Sequence, residues 1–273
     1  MSNRYKIIGY GVCGKNEKYI KGTLDKFKEL CDHVVIVCNN TDARTKHLIE
    51  SYGFEIREDN REWGYQQNII KEDLVKTLGA YSPDWLVCMD MDEVLDIDRE
   101  TFEKQADQCD SMYVYIVNMW NEGWKRQWSF WNIRAWKWNG ITKFVNRPLH
   151  CGLAPEWSYH YGSYVPTILW HYGLKDKEVR ERKVNRYLKY DPNAVYRDRS
   201  YYTGLMDNTC DVLDIPFIRD SITKEVGTIK RKNIRPIKQK VFYMVEKDGR
   251  QFDIPEAQLA ETLKRGFKLI GKI

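Results

Sequence analysis

The chain has 273 residues, enough for one large domain or for one domain with a small appendage. With 42% hydrophobic and 30% charged residues, its composition is ordinary for a soluble globular protein. The net charge of +5 permits a polyanionic partner but is too small to argue for one.

The seven cysteines are scattered and form no Cys-x-x-Cys pair, which argues against a zinc ribbon or a thioredoxin-type site. The N-terminal segment is not a signal peptide, and no apolar run approaches the roughly 18 residues of a membrane span. We therefore expect a cytoplasmic protein with free thiols.

Strands and helices alternate along the first ninety residues. The apolar pattern predicts helices over 19–30, 45–52 and 65–78, and strands over 5–13, 33–38, 54–57 and 85–89. Such alternation indicates a mainly parallel α/β sheet, in which ligands bind at the carboxyl ends of the strands. Polar clusters follow three of these strands, at 16–17, 40–42 and 90–92.

The last of these clusters carries most of the chemistry. Asp90, Asp92 and Glu93 directly follow an unbroken apolar run. In an extended chain Asp90 and Asp92 point the same way, and two such carboxylates repel each other unless a cation lies between them. Mg²⁺ or Mn²⁺ held by carboxylates and substrate phosphates would suit this pair. The alternative is an acidic turn that caps the next helix.

Four segments in this order resemble family-2-type glycosyltransferases, which have the GT-A nucleotide-sugar-binding fold. They are Lys15-Asn16-Glu17, Asn40-Thr41-Asp42, Gly64-Tyr65-Gln66-Gln67-Asn68 and the stretch from Trp85 to Glu93. The resemblance covers roughly residues 5–190 and implies a GT-A-like, mostly parallel central sheet flanked by helices. In one departure, Gln67 stands where the family usually has Arg or Lys.

The resemblance also implies roles for individual residues. Asp92 would be the catalytic metal ligand, and Asp90 would contact the ribose or the metal and its water. Four residues would bind the nucleotide or the donor sugar: Glu17, Asn40, Asp42 and Asn68. Asp42 would accept the N–H of a uracil base. For Glu17 and Asp42 the alternative is capping of the following helix.

Aromatic residues concentrate in the middle of the chain. A helix over 99–106 with Asp98 as its cap and a strand over 111–119 precede six tryptophans between Trp120 and Trp138. Aromatic faces pack against sugar rings, although most of these tryptophans are expected in the core. An inverting transfer also needs a carboxylate base, for which Glu122 and Glu156 are candidates.

A third group of site residues follows a predicted strand over 165–170. His171 comes next, and a strongly charged helix is predicted over 177–190. The resemblance implies that His171 is the third metal contact and that Lys183 and Arg186 face the diphosphate. Lys183 and Arg186 are three residues apart and share one helix face, which could instead be a solvated surface.

The C-terminal part is predicted as an irregular connection or lid over 191–220, with a domain boundary between 1–222 and 223–273. A basic stretch over 224–240, a hairpin around Asp248-Gly249 and a helix over 256–265 would form a small β-hairpin and helix module. It could bind an anionic acceptor, form a homo-oligomer or dock a partner.

These observations predict a Mn²⁺- or Mg²⁺-dependent glycosyltransferase with a nucleoside-diphosphate sugar, UDP-linked, as its donor. The acceptor would be a glycan, a protein or modified DNA. Two alternatives stay open. One is a nucleotidyltransferase on a similar sheet, although no Gly-rich phosphate loop follows the first strand. The other is a non-catalytic nucleic-acid-binding or virion-associated protein.

Overall fold

The computed structural model describes residues 4–15, 17–145, 151–195, 197, 199–232, 242–247, 250–255 and 268–272. By their internal contacts the residues separate into two units, Met1–Val226 and Gly227–Ile273. The boundary predicted from the sequence, between 222 and 223, falls four residues earlier.

The first part of the chain alternates strands and helices as predicted. Its elements are β1 (Ile7–Cys13), α1 (Ile20–Leu30), β2 (His33–Cys38), α2 (Ala43–Ser51), β3 (Glu55–Glu58), α3 (Trp63–Leu78) and β4 (Trp85–Cys88). β1 lies between β2 and β4, β3 lies outside β2, and all three pairings are parallel. All four residues of β4 are buried, as expected for a strand covered on both faces.

The second part extends the same sheet with mixed strand directions. It contains β5 (Glu93–Leu95), α4 (Arg99–Ala106), β6 (Ser111–Trp120), β7 (Gly123–Trp124), β8 (Phe130–Lys137), β9 (Gly162–His171) and α5 (Lys177–Tyr190). The strand order is β3-β2-β1-β4-β8-β6-β9-β5, with β7 paired to β6. β8 is antiparallel to both neighbours, whereas β6 and β9 are parallel. The predicted α/β class is confirmed.

Two apolar clusters cover the two faces of this sheet. On one face, Ile7 packs with Leu24 and Phe27 of α1. On the other, Ile8 packs with Leu74 and Leu78 of α3. Ile7 and Ile8 are adjacent, so the alternation of side chains along β1 sends them to opposite faces.

The segment predicted as irregular contains two helices, α6 (Arg199–Gly204) and α7 (Ile215–Lys232). The amide of Phe217 donates to the carboxylate of Asp214 at the start of α7. Ile218, Ile222 and Val226 are buried and lie four residues apart, which defines one helix face. The prediction of an irregular connection is therefore wrong over 199–204 and from 215 onward. In the sequence of α7, charged residues between the apolar positions obscure the helical pattern.

The second unit contains an antiparallel sheet of β10 (Phe242–Lys247), β11 (Arg250–Pro255) and β12 (Lys268–Lys272). β10 and β11 form the predicted hairpin, and β12 was not predicted. The Asp248-Gly249 turn and the helix over 256–265 lie outside the described residues. Within the part of the chain that is described, no helix is long and apolar enough to cross a membrane.

We expect a chain truncated after Lys232 to keep the melting temperature of the first unit, and a chain truncated after Asp214 to lose roughly 10 °C or more. The shorter chain loses the burial of Ile218, Ile222 and Val226, each worth about 1.5–3 kcal/mol. Circular dichroism melting curves of both chains test this. Unfolding of the longer chain would mean that the second unit is required for the first to fold.

Candidate functional site

A cleft of about 1250 Å³ opens where β1, β2 and β4 end. The residues that follow these strands line it, together with one face each of α3 and α5. This is the edge at which parallel α/β sheets bind ligands. Seven of the predicted site residues line the cleft: Glu17, Asn40, Asp90, Asp92, His171, Lys183 and Arg186.

Asp92 lies in the cleft between His171 and Lys183. Its Oδ1 lies 3.6 Å from His171 Nε2, and its Oδ2 lies 3.4 Å from Lys183 Nζ. Oδ1 is buried and has no hydrogen-bond partner among the described residues. Gly173 packs so closely that a Cβ atom there would lie 1.9 Å from Asp92 Oδ2. A side chain at position 173 would therefore disturb the Lys183 contact.

Strand pairing explains why Asp92 and His171 meet across about eighty residues of chain. β5 and β9 are antiparallel, and Glu93 lies opposite His171 in their register. The amide of Tyr172 also donates to the carbonyl of Asp92 at 2.8 Å. Asp92 is the residue before β5, so this pairing carries its side chain to the end of β9.

The ring of His171 is oriented from its other side. Its Nδ1 contacts Oδ1 of Asn118, which lies on β6. A proton on Nδ1 donated to Asn118 leaves the lone pair of Nε2 directed toward Asp92. When Nε2 carries no proton, two acceptor atoms face each other and a cation between them removes the repulsion; in the cation-free cleft a charged ring instead donates Nε2–H toward Asp92. Metal-binding histidines are oriented in this way by a partner for the second ring nitrogen.

The donor atoms fit a hard divalent cation that takes part of its coordination shell from substrate. Asp92 and His171 come together, and Asp90 lines the same cleft. Among the described residues, no group of three His, Cys, Asp or Glu side chains is arranged to hold an ion unaided. Mg²⁺ and Mn²⁺ are commonly held by one or two protein ligands plus phosphate oxygens and water. Asp92 and His171 would supply the protein ligands here.

The pKa values of the cleft carboxylates are shifted in opposite directions. Burial alone would raise the pKa of Asp92, but Lys183 and His171 outweigh it and hold this pKa well below its usual range. Burial, with Glu93 nearby, raises the pKa of Asp90. Burial, with Asp92 nearby, raises the pKa of Glu17 to about 7. Negative charge therefore concentrates on Asp92.

We expect Glu17→Gln to stabilise the metal-free protein more at pH 8 than at pH 4.5. The unfolded chain loses the Glu17 proton near pH 4.5, whereas the folded protein keeps it to about pH 7. Stability of the wild type therefore falls through this window, by about 3 kcal/mol from Glu17. Urea denaturation in the presence of a chelator measures it. A stability difference that does not change with pH would contradict the expectation.

Glu93, the third acidic residue, forms a buried ion pair. Nε and Nη2 of Arg134 on β8 donate to its two carboxylate oxygens at 2.8 and 2.6 Å. Oε2 also accepts the amide of Asp90 at 3.1 Å. Arg134 thus balances the charge of Glu93. Through its bond to the Asp90 amide, Glu93 also fixes the backbone that carries Asp90 and Asp92.

Lys71 is a cleft residue that the sequence reasoning missed. It lies on α3 and is 3% exposed, and its ammonium donates to the carbonyls of Cys151 and Gly152, both at 3.2 Å. It comes one helical turn after Gln67, which stands where the glycosyltransferase family usually has Arg or Lys. The i, i+4 spacing from Gln67 was the signal that could have found it.

The cleft lining does not include four predicted residues. The carboxylate of Asp42 accepts the amide and the hydroxyl of Thr45, at 2.9 and 2.8 Å, and so caps α2. Asn68 lies on α3 away from the cleft lining. Glu122, between β6 and β7, and Glu156, at the start of a short 3₁₀ helix, are exposed outside the cleft. Their proposed roles stay predictions.

Three of the six tryptophans of the central segment are core residues. Trp120, Trp124 and Trp136 are at most 4% exposed, whereas Trp128 lines the cleft. Trp63 lines it from α3, beneath the ammonium of Lys71.

Comparison with known proteins gave matches among solved structures. No protein-family model matches the chain, and no curated protein matches it. A crystal structure of S. aureus TarS matches at 11% identity and a TM-score of 0.39, covering 74% of this chain and 42% of that one. A structure of S. aureus TarS 1–349 matches at 12% identity and a TM-score of 0.38, covering 86% of this chain and 75% of that one.

Two further proteins match over shorter stretches. Glucosyl-3-phosphoglycerate synthase from Mycobacterium tuberculosis, with Mn²⁺, UDP and phosphoglyceric acid, matches at 16% identity and a TM-score of 0.25, covering 33% of this chain and 34% of that one. CMP:2-keto-3-deoxy-manno-octonic acid synthetase with CTP matches at 10% identity and a TM-score of 0.29, covering 41% of this chain and 53% of that one. TarS and the M. tuberculosis synthase are GT-A glycosyltransferases of the family-2 type.

Proposed function

We propose that this chain is a divalent-cation-dependent glycosyltransferase that uses a nucleoside-diphosphate sugar, with a UDP-linked donor. The observation that carries the proposal is the environment of Asp92. This carboxylate stands at the carboxyl end of the sheet, with Lys183 at Oδ2 and with an Oδ1 that faces His171 and has no hydrogen-bond partner among the described residues. Such a site suits a cation and an anionic leaving group together. The UDP-linked donor follows from the motif resemblance.

In this proposal Asp92 and His171 hold Mn²⁺ or Mg²⁺, which when bound neutralises the charge that develops on the departing diphosphate. Lys183 lies beside Asp92 and would donate to a phosphate oxygen as the bond between the sugar and the diphosphate breaks. Arg186 lies on the same face of α5 and would bind the diphosphate as well. Glu17 and Asn40 line the cleft where the nucleoside would lie.

A panel of nucleotide sugars incubated with the protein and Mn²⁺ tests the proposal. We expect one nucleotide sugar to be hydrolysed slowly to the free nucleoside diphosphate, and a chelator to stop the hydrolysis. A parallel incubation with nucleoside triphosphates and sugar phosphates tests for pyrophosphate release, the reaction of a nucleotidyltransferase. Pyrophosphate release without consumption of any nucleotide sugar would contradict the proposal.

A further inference from the structure

Carboxylates line one side of the cleft together with Lys15 and Lys18, whereas the other side is lined by cations without carboxylates among the described residues. Among the described residues, the lining carboxylates are Glu17, Asp90, Asp92 and Glu93, all in the segments after β1 and β4. The side formed by α5 and the segment just before α6 contributes cations, namely Arg182, Lys183, Arg186 and Arg197. It contributes no carboxylate in the described part of the chain.

Three of those cations have no neutralising carboxylate among the described residues. Lys183 pairs with Asp92, but Arg182, Arg186 and Arg197 have no carboxylate oxygen within 4.0 Å among the described residues. A bound donor and cation engage Asp92, Lys183 and, in the proposal above, Arg186. Arg182 and Arg197 then still face the cleft without an anion.

Aromatic side chains line the same cleft, and one of them stacks on Arg197. The rings of Trp128 and Tyr201 are stacked, with centroids 4.9 Å apart and an interplanar angle of 21°. The guanidinium of Arg197 lies 5.2 Å from the centre of the Tyr201 ring. Phe130 also lines the cleft and is 49% exposed, which is unusual for so large an apolar side chain. Exposed aromatic faces suit the C–H face of a sugar ring.

Two of these aromatic side chains are fixed from behind. Trp128 and Tyr201 pack on a buried cluster that contains Trp120. Asp191, 2% exposed, accepts the amide of Arg197 at 3.3 Å and the hydroxyl of Tyr202. The backbone that carries Arg197 is therefore held in place.

The cleft is also large enough for two ligands. Its volume of about 1250 Å³ exceeds the range of roughly 300–1,000 Å³ that a single small-molecule site usually occupies. Donor and acceptor can bind side by side, with the donor at Asp92 and the acceptor against the aromatic side chains.

We propose that the side of the cleft formed by Arg182, Arg197, Trp128 and Phe130 is the acceptor subsite, and that it takes a phosphorylated sugar. The aromatic faces bind the ring and the two guanidinium groups bind the phosphate, for which their planar donors are well suited. This inference rests on the proposed function, because it assigns the donor to the Asp92 side.

The test uses the full chain with its donor site filled by UDP and Mn²⁺. Inorganic phosphate, glucose and glucose 6-phosphate are then titrated separately, with Trp fluorescence and calorimetry as readouts. We expect glucose 6-phosphate to bind at least 10-fold more tightly than either of the others and to change the fluorescence of Trp128. Trp128→Phe should remove that spectral change.

The variant Arg182→Gln/Arg197→Gln should weaken glucose 6-phosphate binding by about 10- to 100-fold, since hydrogen bonds to charged groups are lost. Arg182→Lys/Arg197→Lys, which keeps the charges, should recover part of the affinity. Lys177→Gln is the matched control, because Lys177 lies on α5 outside the cleft lining, paired with Glu181. It should bind glucose 6-phosphate as the wild type does.

Three results would overturn the acceptor subsite. They are equal affinity for glucose and glucose 6-phosphate, equal affinity for inorganic phosphate and glucose 6-phosphate, and loss of glucose 6-phosphate binding when UDP and Mn²⁺ are present. In the last case the phosphate uses the donor site. Failure of UDP itself to bind would instead count against the proposed function, and the titrations without UDP would still decide whether the arginines bind a sugar phosphate.

Discussion

Asp92→Asn should abolish sugar transfer and weaken the binding of UDP in the presence of Mn²⁺ by more than about 100-fold, beyond the 10- to 100-fold loss typical of residues that only orient a metal ligand. The substitution removes the carboxylate that faces His171 and pairs with Lys183. Without the cation, the diphosphate approaches Asp90 with less compensating charge. With a chelator present, the variant should bind UDP at least as tightly as the wild type, because one repelling carboxylate is gone.

Calorimetric titration of UDP into wild type and variant, each with Mn²⁺ and with chelator, measures these four affinities. Asp96→Asn is the matched control, since it removes one carboxylate four residues away that lies outside the cleft and pairs with Arg219. His171→Asn should cost less than Asp92→Asn, because water can take the place of the imidazole. Equal affinities in all four titrations would remove the cation from the mechanism.

The elements of this fold were largely readable because their signals are local. α5 has the predicted bounds, and the Asp98 cap is observed with its bond to Thr101 at 2.7 Å. Capping also explains the limits of sequence reasoning at Asp42. An Asp three residues before a helical Thr can serve either as a helix cap or as a ligand, and in the structure both its oxygens accept hydrogen bonds from Thr45.

The contacts that organise the site were not readable, because they depend on strand pairings distant in sequence. The approach of His171 to Asp92 requires that β5 pair with β9, and β5 has only three residues. Glu93 belongs to the acidic cluster in the sequence, but in the structure Arg134, 41 residues later, donates to both its carboxylate oxygens. No periodicity in a single chain encodes such a partner.

Arg134→Met should destabilise the protein by about 3–5 kcal/mol, the usual cost of removing one partner of a buried ion pair. The side chains of Arg134 and Glu93 are 5% and 2% exposed, so water cannot replace the lost guanidinium. Glu93→Gln/Arg134→Met should recover much of this loss, because no buried charge is then left unpaired. Urea denaturation of the wild type and both variants, at a pH near 7.5, gives the free energies of unfolding.

The control for this pair is Arg219→Met, which breaks an ion pair with Asp96 whose side chains are 57% and 33% exposed. Exposed pairs contribute about 0–1 kcal/mol, so the two arginine substitutions should differ several-fold in cost. Similar costs would show that the Glu93–Arg134 pair is not the stabilising contact proposed. Because Glu93 also accepts the amide of Asp90, the double variant should remain folded yet bind UDP and Mn²⁺ more weakly. If the double variant regains stability but still binds UDP and Mn²⁺ weakly, the Glu93–Arg134 pair is the contact that positions Asp90 and Asp92.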